Sequence, residues 1–301
     1  MKSLSNEKVF YAFSPNMTPQ LVVEQNELFS LETCDCFSNQ LSSNEDTIEK
    51  LNWDAINPAT GPVFVEGVKP GDLVRVKIEK VELTGPTVMV TIPGAGRVQG
   101  LTKTTTHVSE IKEGKLIIKT EKGTLSFPID PMVGVIGVAP EEGNIANGMP
   151  GNHGGNMDCK LIGEGTALYL RAAVPGALFG CGDIHSLMGD GEVLVCGGET
   201  PAKVTLTIAV ANVENLPTPF IETEMLYATV ASSANPEEAF QTAINEMFDF
   251  LTKVAGLEEG DAGRLMTLVG ELKFCQVVNP DITVRFEFPK SVLKELGFEG
   301  L

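Results

Sequence analysis

The sequence predicts a mostly β protein with an α+β C-terminal part, built as a multi-layer β-sandwich or barrel-like assembly. Three observations lead there. Apolar and charged residues alternate in short runs, which is the period of a half-buried strand. The 31 glycines and 18 prolines fall largely between those runs, as turns require. A 3.6-residue period appears only after Ser233. The chain therefore divides into a β-rich domain, 1–232, and an α+β part, 233–301, packed on it.

In chain order, Val74, Val76 and Ile78 alternate with Arg75, Lys77 and Glu79, giving one core face and one solvent face. Leu116–Ile118 and Thr124–Phe127 flank Glu121-Lys122-Gly123, a hairpin in which Gly supplies the positive φ. Val204, Leu206, Ile208 and Val210 repeat the strand pattern. Beyond Ser233, Asn235 is a good N-cap, Pro236 suits the first helical position, and Glu238 completes a capping-box spacing. Phe240, Ala243, Ile244, Met247, Phe248, Leu251 and Val254 then form one buried stripe, closed by Gly256. A second helix over Asp261–Lys273, a strand through Ile282, Val284, Phe286 and Phe288, and a short helix over Ser291–Leu296 complete the expectation.

The 301 residues carry 22 Lys plus Arg against 40 Asp plus Glu, a formal charge of −18. Such acidity argues against nucleic acid or an anionic membrane as partner and is compatible with cations or a small neutral substrate. No run approaches the roughly 20 apolar residues of a membrane helix. The N-terminus has no apolar core of a secretory signal. Six cysteines without paired CxxC spacing point to reduced thiols in the cytoplasm.

Chemistry concentrates between Ile129 and Thr200. Two of the three histidines, His153 and His185, lie there beside Gly and Asp, in Gly151-Asn-His-Gly-Gly-Asn-Met-Asp158 and Gly182-Asp-Ile-His185. Glycine beside a polar side chain lets a ligand approach closely. On an extended strand Asp183 and His185 point the same way, about 6 to 7 Å apart. His153 and Asp158, on a separate turn, could complete a ligand set. Histidine with carboxylates suits Zn²⁺ with an open position. Asp190 and Glu192 add hard oxygens, which makes Ca²⁺ the alternative. Taken singly, each of these residues is also an ordinary turn former. No GxSxG elbow and no GxxxxGK[ST] loop is present, and Gly94-Ala-Gly96-Arg-Val-Gln-Gly100 reads as a turn. Cys159 and Cys181 lie close to the region as candidate thiolate nucleophiles or ligands, although small buried apolar residues are the commoner fate of free cysteine.

These residues resemble the acetamidase/formamidase family. The resemblance rests on Asn57-Pro-Ala-Thr-Gly-Pro-Val-Phe-Val-Glu-Gly-Val-Lys-Pro-Gly-Asp72, Gly137-Val-Ala-Pro140, Pro150–Asp158, Val174-Pro-Gly-Ala-Leu-Phe179, and Gly182–His185 with Gly189-Asp-Gly-Glu192, in the family's order. It implies a β-rich, metal-containing, oligomeric hydrolase of short linear amides, with a small amide as its substrate. It further implies Asp158, Asp183, His185 and Glu192 as ligands of a divalent metal, zinc ahead of calcium. Glu66, Glu142, His153 and Asn156 become the catalytic candidates: the two glutamates as general base or acid, and Asn156 to orient the amide. Cys159, Cys181 and Leu187-Met188 depart from the family pattern, which points to a different amide in the pocket. Two other readings stay open: a calcium-stabilised binding protein without catalysis, and a hydrolase of another small C–N substrate.

Overall fold

The computed structural model describes residues 1–301. Strands hold 39% of the residues and helices 14%, against about 20–25% strand in an ordinary domain, so the β-rich expectation stands. The strands form two main sheets that do not close into a barrel. Of the expected sandwich or barrel-like assembly, the layered sandwich is the form found.

The larger sheet has nine strands. In spatial order they are Lys2–Leu4, Phe29–Thr33, Ala202–Val210, Leu73–Leu83, Ala167–Arg171, Phe220–Glu222, Leu226–Ser233, Ile282–Pro289 and Glu271–Gln276. The smaller runs Gly154–Asn156, Met132–Gly137, Phe179–His185, Ala59–Val65 and Val9–Phe10, with Leu21–Val23 parallel to Ala59–Val65. The alternation read in the sequence sets the register. Val204, Leu206 and Ile208 lie opposite Val81, Ile78 and Val76. One face of this ladder meets Val63, Val133, Ile136, Phe179 and Ile184 of the smaller sheet in the main core. Each fully buried side chain of this kind contributes about 1.5–3 kcal/mol.

On the other face of the nine-stranded sheet, Tyr169, Phe220, Tyr227, Phe286 and Phe288 pack against helical Ala243, Met247, Phe250 and Met266. This makes a third layer. The first helix spans Pro236–Asp249, and the Asn235 side chain accepts from Glu237 N as expected of a cap. The capping box does not form, because Glu238 accepts from Ser233 Oγ and the Asn235 N–H is taken by that same hydroxyl. The stripe runs on through a π-helical turn, Phe250–Val254.

The second helix ends at Val269 rather than Lys273. Leu272 and Phe274 stand two residues apart, which is the period of a strand and not of a helix. Glu271–Gln276 accordingly pairs with Ile282–Pro289 as a strand. The 232/233 boundary falls inside the strand Leu226–Ser233, which pairs over its whole length with Ile282–Pro289, so the C-terminal part continues the sheet. No helix is long and apolar enough to cross a membrane.

Candidate metal centre

Three adjacent strands of the smaller sheet build the centre. Met132–Gly137 lies between Gly154–Asn156 and Phe179–His185, with Val135 opposite both Asn156 and Gly182. Asp158, just past the first neighbour, and Asp183, near the end of the second, therefore converge over Gly134. A Cβ at Gly134 would stand 2.5 Å from Asp158 Oδ1 and 2.6 Å from Asp183 Oδ2. Only glycine leaves room for both carboxylates. Asp158, Asp183 and Glu192 all hold left-handed backbone, with φ of 43°, 56° and 40°. Non-glycine residues adopt this conformation only where surrounding structure enforces it, and it gathers at functional sites.

Around His185 the side chains converge further. Its Nε2 lies 3.1 Å from Glu199 Oε1, 3.6 Å from Asp183 Oδ1 and 3.8 Å from Asp158 Oδ1. Glu199 arrives on a chain that bridges to both Val88 and His185, and its Oε1 accepts from Gly197 N at 2.8 Å. Gly197 packs on the imidazole so closely that a Cβ there would collide with Nδ1. Asp158, His185 and Glu192 bring ligand atoms within 4.8 Å of one another, and so do Cys36, Asp183 and Glu199. All six residues are buried.

The centre is short of positive charge. Asp158 Oδ1, Asp183 Oδ1, Glu192 Oε2, Glu199 Oε2 and both His185 nitrogens are buried without a hydrogen-bond partner. Each would cost about 1–3 kcal/mol or more if it stayed unpaired. Every shift resolved in the cluster is upward. Burial, reinforced by Glu192 and Asp183, holds the Asp158 carboxyl well above its ordinary range. Burial pushes Glu192 up to about 7 and Glu199 up to about 8; in both, the nearby imidazole counteracts it and Asp183 adds to it. For His185, burial alone would favour the neutral ring, but Glu199 and Asp183 outweigh it and hold the imidazole protonated well above its usual range. A buried set that takes up protons in this way is one that a cation would satisfy.

The other expected residues lie elsewhere. His153 is buried with its ring 5.3 Å from that of Phe13 and lines a cavity of 730 Å³, apart from the cluster. Burial pushes its pKa down to about 4. Asn156 is buried beside Asp158 with Oδ1 unpartnered, and both accept from Asn279 Nδ2 at 3.4 Å, through the Asn156 carbonyl and Asp158 Oδ2. Glu66 and Glu142 sit exposed in loops, outside the buried cluster. Asp190 is not free to ligate calcium. Arg285, fully buried, grips it with Nη1 at 2.7 Å and Nη2 at 2.9 Å, and Lys160 adds 3.2 Å. Cys181 is a packing residue whose thiol burial pushes up to about 12, and all six cysteines are free. Of the four expected ligands, Glu192 alone opens to solvent space: it lines a mostly apolar cavity of 320 Å³ with Met89, Leu116, Phe127, Leu187 and Met188.

The family model of the Acetamidase/Formamidase family matches residues 2–147 and 144–293, nearly the whole chain. The chain belongs to the acetamidase/formamidase family. It is 42% identical to a predicted acetamidase/formamidase from the thermophile Thermoanaerobacter tengcongensis, covering 99% of both chains with a TM-score of 0.93. An acetamidase from Bacillus halodurans is 36% identical, covering 98% of this chain and 99% of that one with a TM-score of 0.94. A formamidase of Methylophilus methylotrophus is 23% identical over 239 residues, 61% of this chain and 59% of the relative. The chain thus spans about three fifths of the length of that curated relative.

Proposed function

We propose that this member of the family is a metal-dependent amidase that hydrolyses short linear amides to ammonia and a carboxylate. The carrying observation is the buried convergence of Asp158, Asp183 and His185, with ligand atoms unpartnered and no Lys or Arg among them. Those three side chains would hold the ion. Zinc fits best, because a ligand set that includes the His185 imidazole is not the all-oxygen shell calcium prefers. Bound there, a divalent ion supplies Lewis acidity and a water that ionises near neutral pH.

The remaining chemistry belongs to the chain. Glu192 faces the 320 Å³ cavity, and its carboxyl, pushed up to about 7, changes protonation near neutrality. Its unpartnered Oε2 takes a proton from the attacking water and returns it to the leaving nitrogen. That position gives Glu192 the proton-carrying role expected of Glu66 or Glu142. Asn156 Oδ1 accepts from the amide NH₂ and orients it. Met89, Leu116 and Leu187 keep water from the acyl group.

Homo-oligomer formation belongs to the same reading. It is supported by exposed Leu125 and Phe127 on the edge strand Gly123–Pro128. Six free thiols are what a reducing cytoplasm leaves. The test is elemental analysis of wild-type and Asp158→Asn protein beside ammonia release from acetamide. Coupled loss of metal and turnover supports the reading, whereas a metal-free, fully active Asp158→Asn protein overturns it.

A further inference from the structure

We propose that the centre holds two divalent cations, the second bound by Cys36, Asp183 and Glu199. The inference rests on the reading of Asp158, Asp183 and His185 as a metal site and goes beyond it in number and donor type. Three observations carry it.

The first is charge. Asp158, Asp183, Glu192 and Glu199 bring four carboxylates into one buried cluster, faced only by the His185 imidazole. Arg285, the buried cation of this region, is committed to Asp190 and Glu287. With a Cys36 thiolate the donors carry five negative charges; one divalent ion offsets two of them and two ions offset four. Uncompensated carboxylates at this depth are too costly to be left over.

The second is unspent donor capacity within the Cys36, Asp183 and Glu199 group. Asp183 Oδ1 and Glu199 Oε2 have no hydrogen-bond partner, and their residues are 3% and 1% exposed. The third is composition and reach. Cys36 Sγ is buried, and its ligand atom, that of Asp183 and that of Glu199 lie within 4.8 Å of one another. Asp183 Oδ1 also lies 3.6 Å from His185 Nε2, so this group stands directly beside the Asp158, His185 and Glu192 group. A thiolate with two carboxylates suits zinc or cobalt and is foreign to calcium and magnesium.

The test uses the full chain, stripped by chelation and titrated with Co²⁺. Bound metal is counted by mass spectrometry, and thiolate ligation is read from a sulfur-to-cobalt charge-transfer absorption. Wild type is expected to take up about two ions per chain and to develop the band with the ion bound by Cys36. Cys36→Ser, nearly the same size, should lose the band. Glu199→Gln should fall to about one ion per chain; should it not fold, Cys36→Ser still decides. One ion per chain with amide turnover overturns the two-ion proposal and leaves the amidase reading standing. No ion in a fully active protein overturns both. Two ions per chain in Cys36→Ser with the band unchanged also overturns the assignment.

Discussion

Glu199 Oε1 stands 3.1 Å from His185 Nε2 while accepting a hydrogen bond from Gly197 N at 2.8 Å. The same Gly197 packs on the other side of the imidazole. Backbone, carboxylate and ring thus fix one another, and the ring cannot turn without displacing the Gly197–Glu199 chain. Such outer support is what sets a metal-ligating histidine in orientation.

Asp183→Ala removes the residue that reaches both Gly134 and His185. Metal content should drop, and kcat/KM for acetamide should fall by at least about 100-fold, read by elemental analysis and ammonia release. Retention of both would show that Asp183 is no ligand.

Gly134→Ala inserts a methyl where two carboxylate oxygens already stand within 2.6 Å of the Cβ position. Overpacking of this kind costs about 1–3 kcal/mol. Metal affinity should fall with it, because Asp158 and Asp183 must move apart. Thermal melts with and without added zinc separate the two effects.

The buried imidazole of His153 gives the acid limb of stability a defined shape. Its folded pKa of about 4 lies below the ordinary 6.5. Folding therefore favours the neutral ring, and the unfolded chain binds the extra proton first. Stability from this group is complete above about pH 6.5 and is lost as pH falls towards 4, by about 3 kcal/mol in all. Urea unfolding of wild type and His153→Gln between pH 4 and 7 should show a flatter profile in the variant. Parallel profiles would rule His153 out as the source.

Arg285 is fully buried and bonds Asp190 twice and Glu287 once. Arg285→Met leaves two carboxylates without their cation and should destabilise by about 3–5 kcal/mol. Specific activity of the protein that remains folded is expected to fall as well, because Asp190 also lines the 320 Å³ cavity beside Glu192. Denaturant midpoints check the first statement and specific activity the second.

On the proposed reading, the cavity beside Glu192 receives the acyl group. Leu116, Ile118, Phe127, Leu187 and Met188 line its 320 Å³, so propionamide and butyramide should outperform acetamide. Each methylene buried is worth about 0.8 kcal/mol, roughly fourfold in kcat/KM. A rate that falls steadily from formamide upwards would contradict this.

Much of the fold was legible because its signals are local. Val74, Val76 and Ile78 announce a strand by period, and Asn235-Pro236 announces a helix start by cap chemistry. The helix expected over Asp261–Lys273 ran four residues too far, because its end is set by the pairing of Glu271–Gln276 with Ile282–Pro289, which lies outside the segment itself. At the site, Asp158, Asp183, His185 and Glu192 stood out as polar residues within glycine-rich turns. Glu199 carried the same signal in Gly197-Gly-Glu199 but lacked a neighbouring histidine to single it out. Cys36 lies far away in sequence, and nothing local marks a residue that only the packing of two sheets delivers. Glu66 drew attention through its motif, yet its backbone N–H bonds Val23 O and its side chain is exposed.

Ammonia release from formamide and acetamide, before and after chelation and alongside elemental analysis, tests the central claim most directly. The account predicts turnover that disappears with the metal and returns when one kind of divalent ion, zinc first, is restored. Full turnover by metal-free protein, or none by folded and metal-loaded protein with any short linear amide, would contradict it.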